Sequence, residues 1–310
     1  MMLNENAFKI VEKMISRSEE LEIIYRKDEA NIIDAGIKAE GSLEAGRLLA
    51  EICMGGLGSV EISLKDYSGI LLPEVVVSTD KPALATLASQ KAGWNLKAGN
   101  FFSLGSGPAR ALARKPKKLY EKLDYRESYD RAVIVLETSQ YPPREIVRLI
   151  AESCSVTPEN VYIIVAKTSS IAGTVQISAR VVETALYKLD HMGVDTRKIK
   201  FAIGRAPVAA VVSGEGEMMG ITNDMIIYGG EVFLASEVDF DINEVPSSAS
   251  PSFGKPFADI FREADYDFYK INQAIFAPAR VAVNFMNSKK LETAGEVAFN
   301  VIRKSLKVEK

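Results

Sequence analysis

Apolar and polar positions along the chain follow two patterns, one typical of buried strands and the other of helices. The runs 132–136 and 161–166 are almost entirely apolar, which predicts strands buried on both faces. Between them, 143–154 places apolar residues at helical spacing. The three segments together predict a β-α-β unit.

Two adjacent glycines mark a second kind of connection. The apolar stretches 226–228 and 232–236 flank Gly229 and Gly230, a pattern that predicts a β-hairpin. Because β-α-β and β-β connections then occur in one chain, the sequence predicts a mixed α/β fold of the α+β class.

The segment 171–189 predicts a mostly apolar helix that carries one charged pair. Residues 171–179 have no charge, and Arg180 and Glu183 follow at positions i and i+3 of one helix face. Such a pair is either a tuned acid–base pair or an ordinary surface ion pair, and the spacing leaves both open.

The chain length predicts two domains, since 310 residues exceed the usual size of one. The stretch 120–131 is rich in acidic and aromatic residues and has no long apolar run. It marks the predicted junction, which gives α/β domains over 1–125 and 126–310, each with a mixed sheet.

A short repeat suggests an internal duplication. Pro-Ala-Arg occurs at 108–110 and at 278–280, each time after an upstream Lys-Pro. If the repeat is real, Arg110 and Arg280 face one cleft from two related halves. Chance similarity between such short segments is the alternative.

Charge and composition exclude several classes of function. Lys and Arg number 38 against 41 Asp and Glu, a net charge of −3, which argues against a general nucleic-acid binder. One histidine, His191, and two cysteines, Cys53 and Cys154, are too few for a disulfide framework or a four-cysteine zinc site. Neither a signal-peptide pattern nor a membrane span of ~18 apolar residues is visible, so a cytoplasmic protein is expected.

A glycine-containing turn is a candidate for anion binding. Gly105, Ser106 and Gly107 precede a predicted helix start at Pro108, and Arg110 follows. Glycines allow backbone N–H groups to converge on an anion, and a forked guanidinium can close such a site. The alternative is a tight turn that only caps a helix.

Two further ionisable residues occupy notable positions. Glu137 ends the apolar strand 132–136, and the carboxyl end of a buried strand is a common place for functional groups. Lys91 lies in the last turn of a predicted helix that Gly93 ends, where the helix dipole alone favours a lysine.

Several motifs taken together resemble the methenyltetrahydromethanopterin cyclohydrolase family, over nearly the whole chain. They are SQKAGW (89–94), GSGPARAL (105–112), SARVVET (178–184), TND and YGG (222–230), DYDFYKI (265–271) and FAPARV (276–281). The resemblance implies hydrolysis of the cationic methenyl carbon of reduced methanopterin to the N5-formyl compound. It also implies two α/β domains around a deep pocket, a homotrimer, and no metal or dissociable cofactor.

Residue roles follow from the resemblance by position. It implies that Glu183 is the catalytic carboxylate, Arg180 its charged partner, Lys91 a polar residue of the pocket and Glu137 a pocket carboxylate. The turn from Gly105 to Arg110 matches the anion-binding loop of the family.

Three positions depart from the family pattern, and two alternative functions remain open. Lys81 stands where the family often has His, Lys167 where Pro is usual, and Ile221 where Arg is frequent. The alternatives are a cyclohydrolase of the methenyl-tetrahydrofolate type and a non-catalytic protein that binds reduced pterins.

Overall fold

The structure, a computed structural model, describes residues 2–265, 267 and 270–308. The chain divides into two compact units, Met1–Ser59 with Ala83–Gln176 and Val60–Pro82 with Ile177–Lys310. The units therefore do not divide at the predicted junction near residue 125. The reason is that the segment Val60–Pro82 leaves the first unit to supply strands to the second sheet, whereas 126–176 stays with the first.

Both units contain helices and strands, and several elements of the same kind follow one another along the chain. The strands are β1 (Ile24–Lys27), β2 (Asn31–Asp34), β3 (Ser59–Asp66), β4 (Leu71–Thr79), β5 (Trp94–Ala98), β6 (Phe101–Ser106), β7 (Ala132–Glu137), β8 (Val161–Ala166), β9 (Ile199–Pro207), β10 (Glu231–Ser236), β11 (Arg280–Phe285) and β12 (Lys290–Gly295). The α-helices are α1 (Leu3–Ser16), α2 (Leu43–Cys53), α3 (Ala109–Ala113), α4 (Lys117–Lys122), α5 (Arg144–Cys154), α6 (Ile171–Ser178), α7 (Val181–His191), α8 (Glu215–Gly229), α9 (Phe257–Glu263) and α10 (Phe299–Ser305). A π-helix spans Leu84–Gln90, and 3₁₀ turns span Pro158–Asn160, Thr196–Lys198, Ile242–Glu244, Ser247–Ala249 and Gln273–Ile275.

The first unit is a mixed sheet between two helical layers. Its strand order is β1-β2-β8-β7-β6-β5, in which β2, β8 and β7 run parallel. The predicted β-α-β unit is confirmed as β7, α5 and β8. Alternate side chains of β7 enter different cores: Val133 and Val135 pack with α1 and α2, while Ile134 and Leu136 pack with α5. This is why the strand is apolar from Ala132 to Leu136.

The second unit is built on a sheet of order β12-β11-β10-β9-β4-β3. Strands β10 and β11 run parallel, and β9 is antiparallel to β10 and β4. Helix α7 packs against β9 and β10, and α8 packs with α9 and α10. A Cβ on Gly204 of β9 would lie 2.8 Å from Val182 and 2.9 Å from Val181, so glycine permits the close approach of α7.

The predicted hairpin around Gly229 and Gly230 is wrong. Residues 226–228 are the end of α8, and Gly230 is the residue after its last turn. Met218, Ile221 and Met225 recur at helical spacing and are buried in a core with α9 and α10, which the short run 226–228 does not reveal. The predicted helix over 171–189 is two helices, because the chain turns at Ala179 and Arg180 between α6 and α7.

The two Pro-Ala-Arg segments adopt different conformations. The first begins α3, with Pro108 as the residue before the helix, and the second leads into β11, which starts at Arg280. The two sheets also differ in which neighbouring strands are parallel. The structure thus gives the proposed duplication no support.

Asp224 of α8 generates a prediction about pH. It is 1% exposed, and its carboxyl accepts the Phe257 N–H at 2.8 Å and the Ser305 hydroxyl at 2.7 Å. Burial raises the pKa of Asp224 to about 7 despite these two donors. Because the folded state holds this proton more tightly than the unfolded state, the associated stability is present below pH ~4 and is lost as the pH rises through 7.

We expect Asp224→Asn to gain stability relative to the parent by up to about 4 kcal/mol between pH 4 and pH 8. Urea unfolding across that range measures the difference. The control is Asp130→Asn, since the Asp130 side chain is 66% exposed and should show no such trend. If the difference in unfolding free energy between Asp224→Asn and the parent did not change with pH, the prediction would be contradicted.

Candidate active site

Polar side chains lie together at the C-terminal ends of the parallel strands in the first unit. Glu137 is the last residue of β7, and both oxygens of its carboxylate accept hydrogen bonds. The Thr168 hydroxyl donates to Oε1 at 2.5 Å, and Nε2 of Gln176 donates to Oε2 at 3.2 Å. Thr168 and Gln176 are buried, whereas Glu137 is partly exposed. The carboxylate is thus held in one orientation at the edge of the sheet.

Asp34 occupies the same edge, at the end of β2. Its Oδ1 accepts the N–H groups of Gly36 at 2.9 Å and Ile37 at 2.6 Å. Its Oδ2 accepts the Lys38 N–H at 2.9 Å and the Tyr141 hydroxyl at 2.5 Å. Burial alone would raise the pKa of Asp34, but these donors outweigh it and lower the pKa. Asp34 therefore acts as the anchor of the loop that follows β2.

Lys91 directly follows the π-helix, a conformation that is rare and often found at functional sites. Its N–H donates to the Thr86 carbonyl oxygen at 2.8 Å, five residues back, and its own backbone is extended (φ −53°, ψ 127°). The sequence predicted an ordinary short helix here. The wider turn changes the direction in which Lys91 leaves the helix.

The predicted anion-binding turn is largely part of the sheet. Gly105 and Ser106 belong to β6 and pair with Leu136 and Val135 of β7. The N–H of Gly107, at a φ of +93° that favours glycine, donates to the Ser89 carbonyl oxygen at 2.8 Å. These backbone hydrogen bonds serve the fold, and anion binding here stays a prediction.

Arg110 is completely buried in the first unit. Its Nη1 donates to the carbonyl oxygens of Leu87 at 3.2 Å and Ser89 at 3.3 Å. The guanidinium thus holds the end of the π-helix, and its direct contact with a substrate stays a prediction.

Arg180 and Glu183 lie at the start of α7 in the second unit. Arg180 is the residue before the helix, and its carbonyl oxygen accepts the Thr184 N–H at 2.9 Å. Glu183 lies in the first turn and is 9% exposed; a negative charge there is favoured by the helix dipole. Burial, with added repulsion from Glu183 and Asp190, raises the pKa of Tyr187 to about 12. Glu183 and Tyr187 lie on one face of α7 because they are four residues apart.

Arg280 lies in an ion cluster on the second sheet. It pairs with Glu231 of β10, which also binds Arg205 at 2.8 Å and Lys65 at 3.1 Å. Burial alone would raise the pKa of Glu231, but Lys65, Arg205 and Arg280 lower it. A cleft of about 230 Å³ opens beside this cluster, lined by Val76, Ile203, Gly204, Arg205, Glu231, Val232, Phe233, Arg280, Ala282 and Thr293. A role for Arg280 in substrate binding stays a prediction.

Sequence reasoning missed Thr168, Gln176 and Glu231. Thr168 lies two residues beyond the end of β8, so the parallel arrangement of β8 with β7 was a usable signal. No comparable signal marked Glu231, because its partners come from strands distant in sequence.

The three positions that depart from the family pattern have different surroundings. Ile221 is buried among the apolar residues of the α8 core, so an arginine would not fit there without rearrangement. Lys81 is exposed. The carbonyl oxygen of Lys167 accepts the Ser170 hydroxyl at 2.7 Å.

Neither a cluster of metal ligands nor a membrane-spanning helix occurs among the described residues. Within 2–265, 267 and 270–308, no group of three or more His, Cys, Asp or Glu side chains is placed to hold a metal ion. Over the same residues, every helix is too short or too polar to cross a membrane.

Comparison with known proteins gave matches over the full length. A family model described as Cyclohydrolase (MCH) matches residues 2–306. The methenyltetrahydromethanopterin cyclohydrolase of Methanocaldococcus jannaschii is 46% identical over 315 residues, which cover 98% of each chain. Proteins of the same name from Methanococcus maripaludis and Methanosarcina mazei are 47% and 45% identical, and the alignments cover 98% and 99% of both chains.

The Asp34 anchor generates a prediction about acid stability. Tyr141→Phe removes the hydroxyl that donates to the ionised carboxylate, and we expect a loss of about 1–2 kcal/mol at neutral pH. Because the folded-state pKa of Asp34 is lowered, its stabilisation is present above the unfolded-state pKa and is lost as the pH falls. The stability lost in Tyr141→Phe should therefore become smaller as the pH falls toward 3.

Denaturant unfolding at several pH values measures this effect. Tyr25→Phe is the matched control, since the Tyr25 hydroxyl donates to the neutral Asn31 amide oxygen at 2.7 Å and should give a deficit that does not follow the Asp34 titration. An equal deficit of Tyr141→Phe at pH 3 and pH 7 would contradict the proposed anchor.

Proposed function

The chain belongs to the cyclohydrolase (MCH) family, and from this premise we propose that it hydrolyses 5,10-methenyltetrahydromethanopterin to the 5-formyl compound, reversibly, in one-carbon metabolism and methanogenesis. The observation that carries the proposal is the match over both units, at 45–47% identity with relatives named for this activity. The intact Arg180, Glu183, Lys91 and Glu137 add chemical support.

The reaction needs one water and releases one proton. Water attacks the cationic methenyl carbon, the carbon–N10 bond breaks, and the formyl group stays on N5, so a cation plus water gives a neutral product and H⁺. Glu183 is the base that accepts the proton of the attacking water, and Arg180 keeps this carboxylate ionised and oriented. The N-terminal position of Glu183 in α7 favours the same ionised state.

Other residues bind the substrate in this proposal. The Glu137 carboxylate, fixed by Thr168 and Gln176, balances the positive charge of the methenyl group. Lys91 steers the water or stabilises developing negative charge. The turn Gly105-Ser106-Gly107 is the predicted contact for an anionic part of the substrate. Arg280 is predicted to bind substrate too, and because it lies on the sheet face assigned below to the trimer, this role requires that the cleft beside it stay open in the assembly.

The proposed reaction uses no metal and no dissociable cofactor. The amino-acid composition supports this, because one histidine and two cysteines offer few soft ligands. The proposed setting is the cytoplasm, where Cys53 and Cys154, both buried free thiols, remain reduced.

We propose further that the chain forms a homotrimer through the face of the second sheet opposite α7. Gly204 faces α7, so its neighbours Ile203 and Arg205 point to the opposite face, where Ile203 is 45% exposed. Phe233, next to Ile203 on β10, is only partly buried there. Contiguous exposed apolar residues beside mixed charges are typical of protein interfaces.

Turnover of the methenyl compound by the purified protein tests the function. With chelator present, we expect loss of the methenyl absorbance far above the uncatalysed rate. The methenyl-tetrahydrofolate analogue, assayed in parallel, should be a poor substrate. Preference for the folate compound would establish the first alternative, and binding without loss of absorbance would establish a non-catalytic protein.

Glu183→Gln should lower kcat at least about 100-fold, since it removes a general base while keeping size and hydrogen bonding. Circular dichroism should remain that of the parent. Glu145→Gln is the matched control, because Glu145 is an exposed glutamate in the first turn of α5. A near-normal rate for Glu183→Gln would rule out the proposed base.

Ile203→Asp should dissociate the trimer, because it places a charge in the proposed interface. Light scattering at micromolar concentration should show a trimer for the parent and a monomer for the variant. Phe102→Asp is the control, since Phe102 of the first unit is 59% exposed and lies outside this face. A trimeric Ile203→Asp protein would place the interface elsewhere.

A further inference from the structure

Arg110 touches the chain on both sides of Lys91. Before Lys91, its Nη1 donates to the carbonyl oxygens of Leu87 and Ser89 in the last turn of the π-helix, at 3.2 and 3.3 Å. After Lys91, the guanidinium lies against Gly93, where a Cβ would come within 3.3 Å of Nη2. A single buried side chain thus fixes both ends of the short segment that carries Lys91.

Two more donors act at the same helix end. The Tyr120 hydroxyl donates to the Ala88 carbonyl oxygen at 2.6 Å, and the Gly107 N–H donates to that of Ser89 at 2.8 Å. The last carbonyl groups of a helix have no partner within it. Here the carbonyl groups of Leu87, Ala88 and Ser89 are bound by donors from outside the helix, which fixes where the π-helix ends.

We propose that Arg110 is a positioning residue: it acts through the π-helix end and Gly93 to set the direction of Lys91, and it does not contact the substrate. The inference rests on the proposed function, in which Lys91 acts in the active site. A fully buried guanidinium is costly unless its hydrogen bonds are used. Nη1 reaches the two carbonyl groups while the rest of the planar guanidinium lies against Gly93, and the compact ammonium of a lysine does not reproduce this combination of contacts.

A double-mutant cycle tests the coupling between the two residues. We expect Arg110→Lys to lower kcat/KM about tenfold or more when Lys91 is present, mainly through kcat, because a small misplacement of a catalytic group is costly. In the Lys91→Ala protein, Arg110→Lys should have little further effect. Equal losses in both backgrounds, or a rise in KM alone in both, would overturn the proposal.

Tyr120→Phe is a milder variant for the same cycle. It removes one hydrogen bond to the Ala88 carbonyl oxygen and keeps the ring, so it tests the proposal even if Arg110→Lys does not fold. We expect the same pattern of coupling with a smaller loss.

A readout that needs no substrate separates this inference from the proposed function. In protein labelled with ¹³C-lysine, the NMR signal of Lys91 is identified by its loss in Lys91→Ala. We expect it to shift or broaden in Arg110→Lys and in Tyr120→Phe, while the signal of exposed Lys117 stays unchanged. An unchanged Lys91 signal in both variants overturns the positioning role, whatever the turnover. Absence of turnover in the parent would instead reject the proposed function.

Discussion

A charged side chain can be buried in this fold only where neighbouring groups replace the hydrogen bonds of water. Asp34 meets this condition with backbone N–H groups and the Tyr141 hydroxyl, and Nη1 of Arg110 meets it with the carbonyl oxygens of the π-helix. The partly exposed Glu137 carboxylate is bound in the same way by Thr168 and Gln176. Each donor or acceptor also fixes an orientation, so the same constraint that permits burial preorganises the groups available for chemistry.

The order of strands explains why polar groups gather at one edge of the first sheet. Strands β2, β8 and β7 are parallel and buried on both faces, so they are apolar along their length and can change to polar residues only where they end. Their carboxyl ends lie side by side, which brings Thr168, after β8, to Glu137 and Tyr141, after β7, to Asp34. This is the edge at which parallel sheets commonly bind ligands. The apolar pattern of the sequence thus leads directly to the place of a polar site.

Sequence reasoning succeeded where one physical cause dominated. The strands 132–136 and 161–166 were predictable because burial on both faces demands uninterrupted apolar residues, and Glu137 was recognisable because it ends such a run. The hairpin at Gly229 was wrong because a short apolar run fits a helix equally well. The π-helix before Lys91 was not predictable, since donors distant in sequence, Arg110 and Tyr120, hold its end.

The central claim is that the two carboxylates have separate tasks, Glu183 in proton transfer and Glu137 in binding the cationic substrate. The most direct test titrates the methenyl compound into Glu183→Gln and into the double variant with Glu137→Gln, both expected to be inactive, so that equilibrium binding is measured without turnover. The account predicts a Kd near the parent KM for Glu183→Gln and binding at least about tenfold weaker for the double variant, roughly 1.4 kcal/mol. Equal affinity of the two proteins would contradict it.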